Sequence, residues 1–123
     1  MWNASNAVAW IKHMQATGQA VFAFELGNEV NNQGVRSDGS PDPHNCSILP
    51  QSQAAAIETL AQELETLYPE PVTRPLLIGP DTGFADPQWW LNQTLSIVGH
   101  LLHAVTHHVY LGATFHHVLS RYV

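Results

Sequence analysis

A chain of 123 residues that is 45% apolar and 11% charged has the make-up of a folded domain, not of a disordered or fibrous segment. Its basic residues are Lys12, Arg36, Arg74 and Arg121, and a net charge of −6 excludes the clustered cations that nucleic acid or an anionic membrane surface would require. No apolar run approaches the roughly 18 residues of a transmembrane helix, and the single cysteine, Cys46, excludes an internal disulfide.

Residues 1–5 lack a charged and then apolar leader, so no signal peptide is expected. Sequons at Asn3, Asn45 and Asn92 lean the other way, towards a secreted glycoprotein. Residues 4–17 carry Ala7, Val8, Ile11 and Met14 at helical spacing, with Asn3 or Ser5 to cap the start and Gly18 to end it. Residues 20–24 are apolar on both parities, the pattern of a parallel strand covered on both faces. That strand ends in Glu25-Leu26-Gly27-Asn28-Glu29. Residues 31–50 are polar and rich in Gly, Ser, Asp and Pro, which predicts a long loop leaving the strand end as a wall or lid.

Residues 53–68 form the clearest helix, with Ile57, Leu60, Ala61, Leu64 and Leu67 on one stripe and Pro69 and Pro71 beyond it. Leu76, Leu77 and Ile78 make a second short strand, closed by a turn over residues 79–83 with Asp81 at its tip. Asp86-Pro87 opens a third helix, expected to carry Leu91, Leu95, Val98 and Leu102 inward. A third strand starts at Ala104 and runs into His107-His108-Val109-Tyr110. Alternation of this kind signals α/β architecture with a parallel sheet. Three strands cannot close a barrel of about 250 residues, so residues 1–123 are read as a fragment of a (β/α)₈ TIM barrel, incomplete at both ends.

The polar candidates all fall at carboxyl ends of strands, which face one crevice in a parallel sheet: Asn28 and Glu29, then Asp81, then His108 and Tyr110. Glycosidic cleavage needs a protonated carboxyl beside the leaving oxygen, and burial of a glutamate favours its protonated form. Glu29 is accordingly read as a general acid/base, and the Asn28 amide as a holder of a sugar hydroxyl. Glu25 shares parity with Glu29 and is expected inside the barrel as a hydrogen-bonded structural carboxylate. Asp81 divides between forming its turn and serving the site, and His108 and Tyr110 share one face of their strand. His100, His103 and His107 have helical spacing, but a helix-to-strand boundary near His103 breaks their common face. No metal centre and no cofactor are expected.

Four blocks carry a resemblance: Trp2-Asn3-Ala4-Ser5-Asn6-Ala7, Glu25-Leu26-Gly27-Asn28-Glu29, Gly79-Pro80-Asp81-Thr82-Gly83 and Val105-Thr106-His107-His108-Val109-Tyr110-Leu111. In this order they resemble heparanase and its relatives, glycoside hydrolase family 79. The resemblance implies a retaining endo- or exo-β-glucuronidase whose nucleophilic Glu lies on a later strand, outside this chain. It implies Glu29 as proton donor, Asn28 as a sugar contact, and His108 and Tyr110 as neighbours of the nucleophile. The implied partner is a glucuronic-acid-containing oligo- or polysaccharide, and the implied location is secreted, lysosomal or membrane-associated extracellular. Val30 replaces the family's usual proline, Phe84-Ala85-Asp86 lacks the basic residues used on sulfated chains, and one fewer residue separates Thr106 from the histidine pair. A less sulfated glucuronide therefore stands beside heparan sulfate as substrate. The alternative class is a non-catalytic carbohydrate-binding or degenerate barrel homologue.

Overall fold

The computed structural model describes residues 2–31, 48–83 and 87–108. The elements run α1 (Ser5–Ala16), β1 (Ala23–Glu25), α2 (Pro50–Leu67), β2 (Leu76–Thr82), α3 (Pro87–Val98), a 3₁₀ turn (Gly99–Leu101) and β3 (Ala104–His107). The strands form one parallel sheet in the order β1-β2-β3, each preceded by a helix. This is the α/β alternation that the sequence predicts. Most of the expected loop, with Cys46 and Asn45, lies outside the described residues, as do Asp86, Tyr110 and everything beyond it.

Helix α1 buries Ile11 completely and its neighbours on the stripe in part. No side chain caps Ala4 at its start. Instead Asn3 sits one residue earlier and its Oδ1 accepts the Ser5 N–H at 2.9 Å. Gly18 takes a left-handed φ of 67° and donates to Gln15 O, satisfying a carbonyl of the last turn. Strand β1 is shorter than the apolar run, although Phe22 O still accepts the Leu76 N–H at 2.9 Å. Phe24 is buried against the helices and meets Trp10 edge to face at 5.5 Å, whereas Phe22 is 83% exposed.

Helix α2 starts at Pro50, three residues before the expected start at Gln53, because Pro50 fits the first helical position and has no N–H to orphan there. Ile57, Leu60 and Leu64 join Ile11, Phe24, Ala54, Leu77 and Val98 in one core between sheet and helices. Burying such aliphatic side chains contributes roughly 1.5–3 kcal/mol each. Gln53, the buried polar residue of this face, is satisfied through Nε2–H donating to Leu26 O at 2.7 Å.

Two expectations need correction. The expected turn over residues 79–83 is instead largely strand: β2 continues to Thr82, pairing Gly79 with Val105 and Thr82 with His107 across a register shift. The shift falls within the Gly-Pro-Asp segment, so the strand end is irregular there without being broken. On α3, Trp90, Thr94 and Val98 take the buried stripe, and Leu91 and Leu95 are half-buried. Trp90 wins its place by donating Nε1–H to Ile48 O at 2.8 Å, and the Thr94 hydroxyl is spent on Trp90 O. Leu102 does pack on the core, from beyond the 3₁₀ turn.

Candidate functional site at the carboxyl ends of the strands

Glu29 follows β1 by way of Gly27, whose φ of 101° strongly disfavours side-chain-bearing residues. A Cβ on Gly27 would stand 2.8 Å from Val30 Cγ1. The segment is then fastened to the end of β2 at two points. The Glu29 N–H donates to Asp81 O at 2.9 Å, and the buried Asn31 amide brackets Gly83. Its Oδ1 accepts the Gly83 N–H at 2.8 Å while its Nδ2–H donates to Gly83 O at 3.3 Å.

Asp81 sits where β2 and β3 lose register. Its N–H donates to Thr106 Oγ1 at 3.0 Å, and the Thr106 hydroxyl donates in turn to Glu25. Glu25 is thus the hydrogen-bonded carboxylate the strand parity predicts. Asp81 is buried, at 5% exposure. Both Glu29, with φ 47°, and Asp81, with φ 54°, hold left-handed backbone conformations. Such conformations cost on the order of 1–3 kcal/mol for a side-chain-bearing residue, so the surrounding bonds must enforce them.

His108, just past β3, joins the two. Its N–H donates to Thr82 O at 2.8 Å, which fixes the chain against β2. Ring Nδ1 lies 2.6 Å from Glu29 Oε1, and Nε2 lies 2.7 Å from Asp81 Oδ1. A neutral imidazole has one N–H only, so both contacts with ionised carboxylates require the imidazolium. The hydrogen bond to Glu29 accordingly pushes the His108 pKa up from its ordinary value, aided by the charges of Asp81, Glu29 and Glu25. Asp81 is also pushed up, first by burial and then by repulsion from Glu25 and Glu29, and the attraction of His108 does not offset this. Two carboxylates thus contact one imidazole, with the charge of Glu25 acting on it as well.

The structure therefore brings together Glu29, Asp81 and His108, from three different strand ends. Asn28 is exposed at the rim beside them, and Tyr110 lies outside the described residues. Asn31 and Thr106 are the polar residues that sequence reasoning missed. Thr106 shares strand parity with His108 and could have been found by it; Asn31 had no local signal. Of the histidines weighed as ligands, His103 turns its ring to the Leu77 backbone, with Nδ1 accepting the Leu77 N–H at 3.2 Å. Among the described residues no group of three or more His, Cys, Asp or Glu could hold a metal ion, and no helix is long and apolar enough to cross a membrane.

Heparanase-like protein 2 of Arabidopsis thaliana is 24% identical over 110 residues, which is 89% of this chain and 18% of that protein. The chain thus spans about a fifth of the length of the curated relative it matches. No solved structure matches the chain significantly. The family model "Glycosyl hydrolase family 79, N-terminal domain" matches residues 1–123, from one end of the sequence to the other. The chain belongs to glycosyl hydrolase family 79.

Proposed function

We propose that residues 1–123 supply three parallel strands, with their helices, of a (β/α)₈ barrel in a retaining glycoside hydrolase of β-glucuronidase type. In it Glu29 acts as the general acid/base. The observation that carries this reading is the meeting of Glu29, Asp81 and His108 at the carboxyl edge of the sheet, with both carboxylate residues in left-handed backbone. Strain concentrated on the polar residues of a strand edge is the mark of a site held for chemistry. Exposed Phe22, Trp89, Ile97 and Val105 support the barrel reading, since the remaining strands and helices would cover them.

In the first step Glu29 gives its proton to the departing glycosidic oxygen. A glutamate nucleophile from a later part of the barrel takes up the sugar at the same time. In the second, Glu29 removes a proton from the water that releases the sugar. Asn28 at the rim contacts a sugar hydroxyl, and Tyr110 belongs to the same cleft. The substrate is a glucuronic-acid-containing oligo- or polysaccharide with little sulfation, for the edge is acidic and the described cations, Lys12 and Arg74, lie elsewhere. Arg74 pairs with Glu65 beyond the amino end of β2. A secreted or lysosomal setting suits such a substrate.

The test is turnover of an aryl β-glucuronide by the full-length protein with and without Glu29→Gln. Loss of a general acid lowers kcat by roughly 10²–10⁴-fold. Unchanged turnover would remove Glu29 from the mechanism.

A further inference from the structure

Resting on that reading, we infer that Glu29, His108 and Asp81 titrate as one unit, sharing a single dissociable proton beyond the one N–H that a neutral imidazole keeps. His108 is the positioning residue that keeps Glu29 supplied with it. Each of three arrangements holds the same number of protons. Glu29 and Asp81 can be ionised around the imidazolium; the Nδ1 proton can cross to Glu29 Oε1 over 2.6 Å; or the Nε2 proton can cross to Asp81 Oδ1 over 2.7 Å. The first two differ only in where one proton lies along a single hydrogen bond. Such coupled groups lose protons in steps whose apparent pKa values belong to the set and not to any one residue.

The transfer balances. With Asp81 ionised and accepting Nε2–H, the Nδ1 proton moves to Glu29 and leaves a neutral imidazole. Glu29 passes that proton to the glycosidic oxygen as the bond to the anomeric carbon breaks. The electron pair leaves on that oxygen, and the carboxylate nucleophile from the rest of the barrel bonds the carbon. Glu29 then recovers a proton from the attacking water and shares it again with Nδ1. Asp81 touches neither sugar nor Glu29 through its side chain in these contacts; it orients the ring and holds its charge.

Among the described residues the charged groups facing His108 are Glu25 of β1, Glu29 after β1, and Asp81 of β2. The hydrogen bond to Glu29 and the negative charges of all three hold the proton on His108 to higher pH, and Asp81 is itself pushed up, first by burial. Once pH passes that titration, the unit is down to two carboxylates and a neutral ring, and Glu29 has nothing to give. The alkaline limb of the rate profile therefore belongs to the unit.

The experiment measures kcat and KM against pH for the full-length protein on an aryl β-glucuronide with a poor leaving group. The variants are His108→Asn, Asp81→Asn and Glu29→Gln. His108→Asn keeps a donor near the Nδ1 position but cannot titrate. It is expected to lower kcat roughly 10- to 100-fold with KM within about twofold, the size of effect a misplaced catalytic group produces. Its alkaline limb is expected to move to lower pH. Asp81→Asn keeps an acceptor for Nε2–H and removes the charge, so its limb moves the same way. A change that merely weakened the fold would lower kcat and leave the limb in place. Melting curves identify a variant that does not fold, in which case the other carries the test. Limbs that stay where the parent's lies, with Glu29→Gln inactive, overturn the shared proton and spare the glycosidase reading. An active Glu29→Gln overturns the reading itself.

Discussion

Asn31 is the residue whose removal would expose most about how the site is held. Asn31→Ala leaves Gly83 with a buried N–H and a buried C=O that both lose their partner, bonded until then at 2.8 and 3.3 Å. A buried polar group left unsatisfied costs about 1–3 kcal/mol. The longer bond contributes less than the shorter, so the pair should cost roughly 2–4 kcal/mol. In thermal unfolding of the full-length protein this corresponds to a fall in Tm of roughly 5–10 °C. Because Glu29 lies two residues before Asn31 and shares its anchorage to β2, kcat should fall with little change in KM. Asn31→Asp offers an internal check: its carboxylate still accepts the Gly83 N–H but opposes Gly83 O. Its deficit in Tm against the parent should narrow on acidification, as the carboxyl gains a proton to donate. A Tm within about 1 °C of the parent for Asn31→Ala would show that water replaces the amide, and the clamp would have no energetic standing.

Two further substitutions test the backbone and the core around it. Gly27→Ala places a Cβ 2.8 Å from Val30 Cγ1 at a φ of 101°, and strain of this kind costs on the order of 1–3 kcal/mol. A lowered Tm is expected, and an unchanged one would mean that the backbone before Glu29 is soft. Thr82 is fully buried, and its hydroxyl has no hydrogen-bond partner among the described residues. Thr82→Val removes that unsatisfied group at nearly constant shape, so stability should hold or rise by about 1 kcal/mol. A fall in Tm of several degrees would reveal a partner for the hydroxyl.

Much of the fold was legible because it rests on periodic apolar spacing. The stripe of Ile57, Leu60 and Leu64 and the run around Phe24 announce a helix and a buried strand whatever lies next to them. Trp90 displaced Leu91 from the third helix's buried face for a reason no periodicity carries: its indole N–H finds Ile48 O, 42 residues away. The site divides in the same way. Glu29, Asp81 and His108 could be placed at strand ends from order alone. That His108 would lie between two carboxylates depends on the offset of β2 against β3, which arises from the non-glycine left-handed turn at Asp81. Nothing in a local window reports such a turn. The same holds for Asn31, whose partner is 52 residues distant.

The offset between Gly79 and Thr82 also decides which of two adjacent histidines meets the two carboxylates. Neighbouring residues on an extended strand project to opposite sides. Were β3 to slide along β2 by one place, the ring of His107 would be presented to the acidic edge and that of His108 to the helices. Which imidazole lies between the carboxylates is therefore written in the pairing of two backbones, and a one-residue change in that pairing would exchange one for the other without altering either histidine.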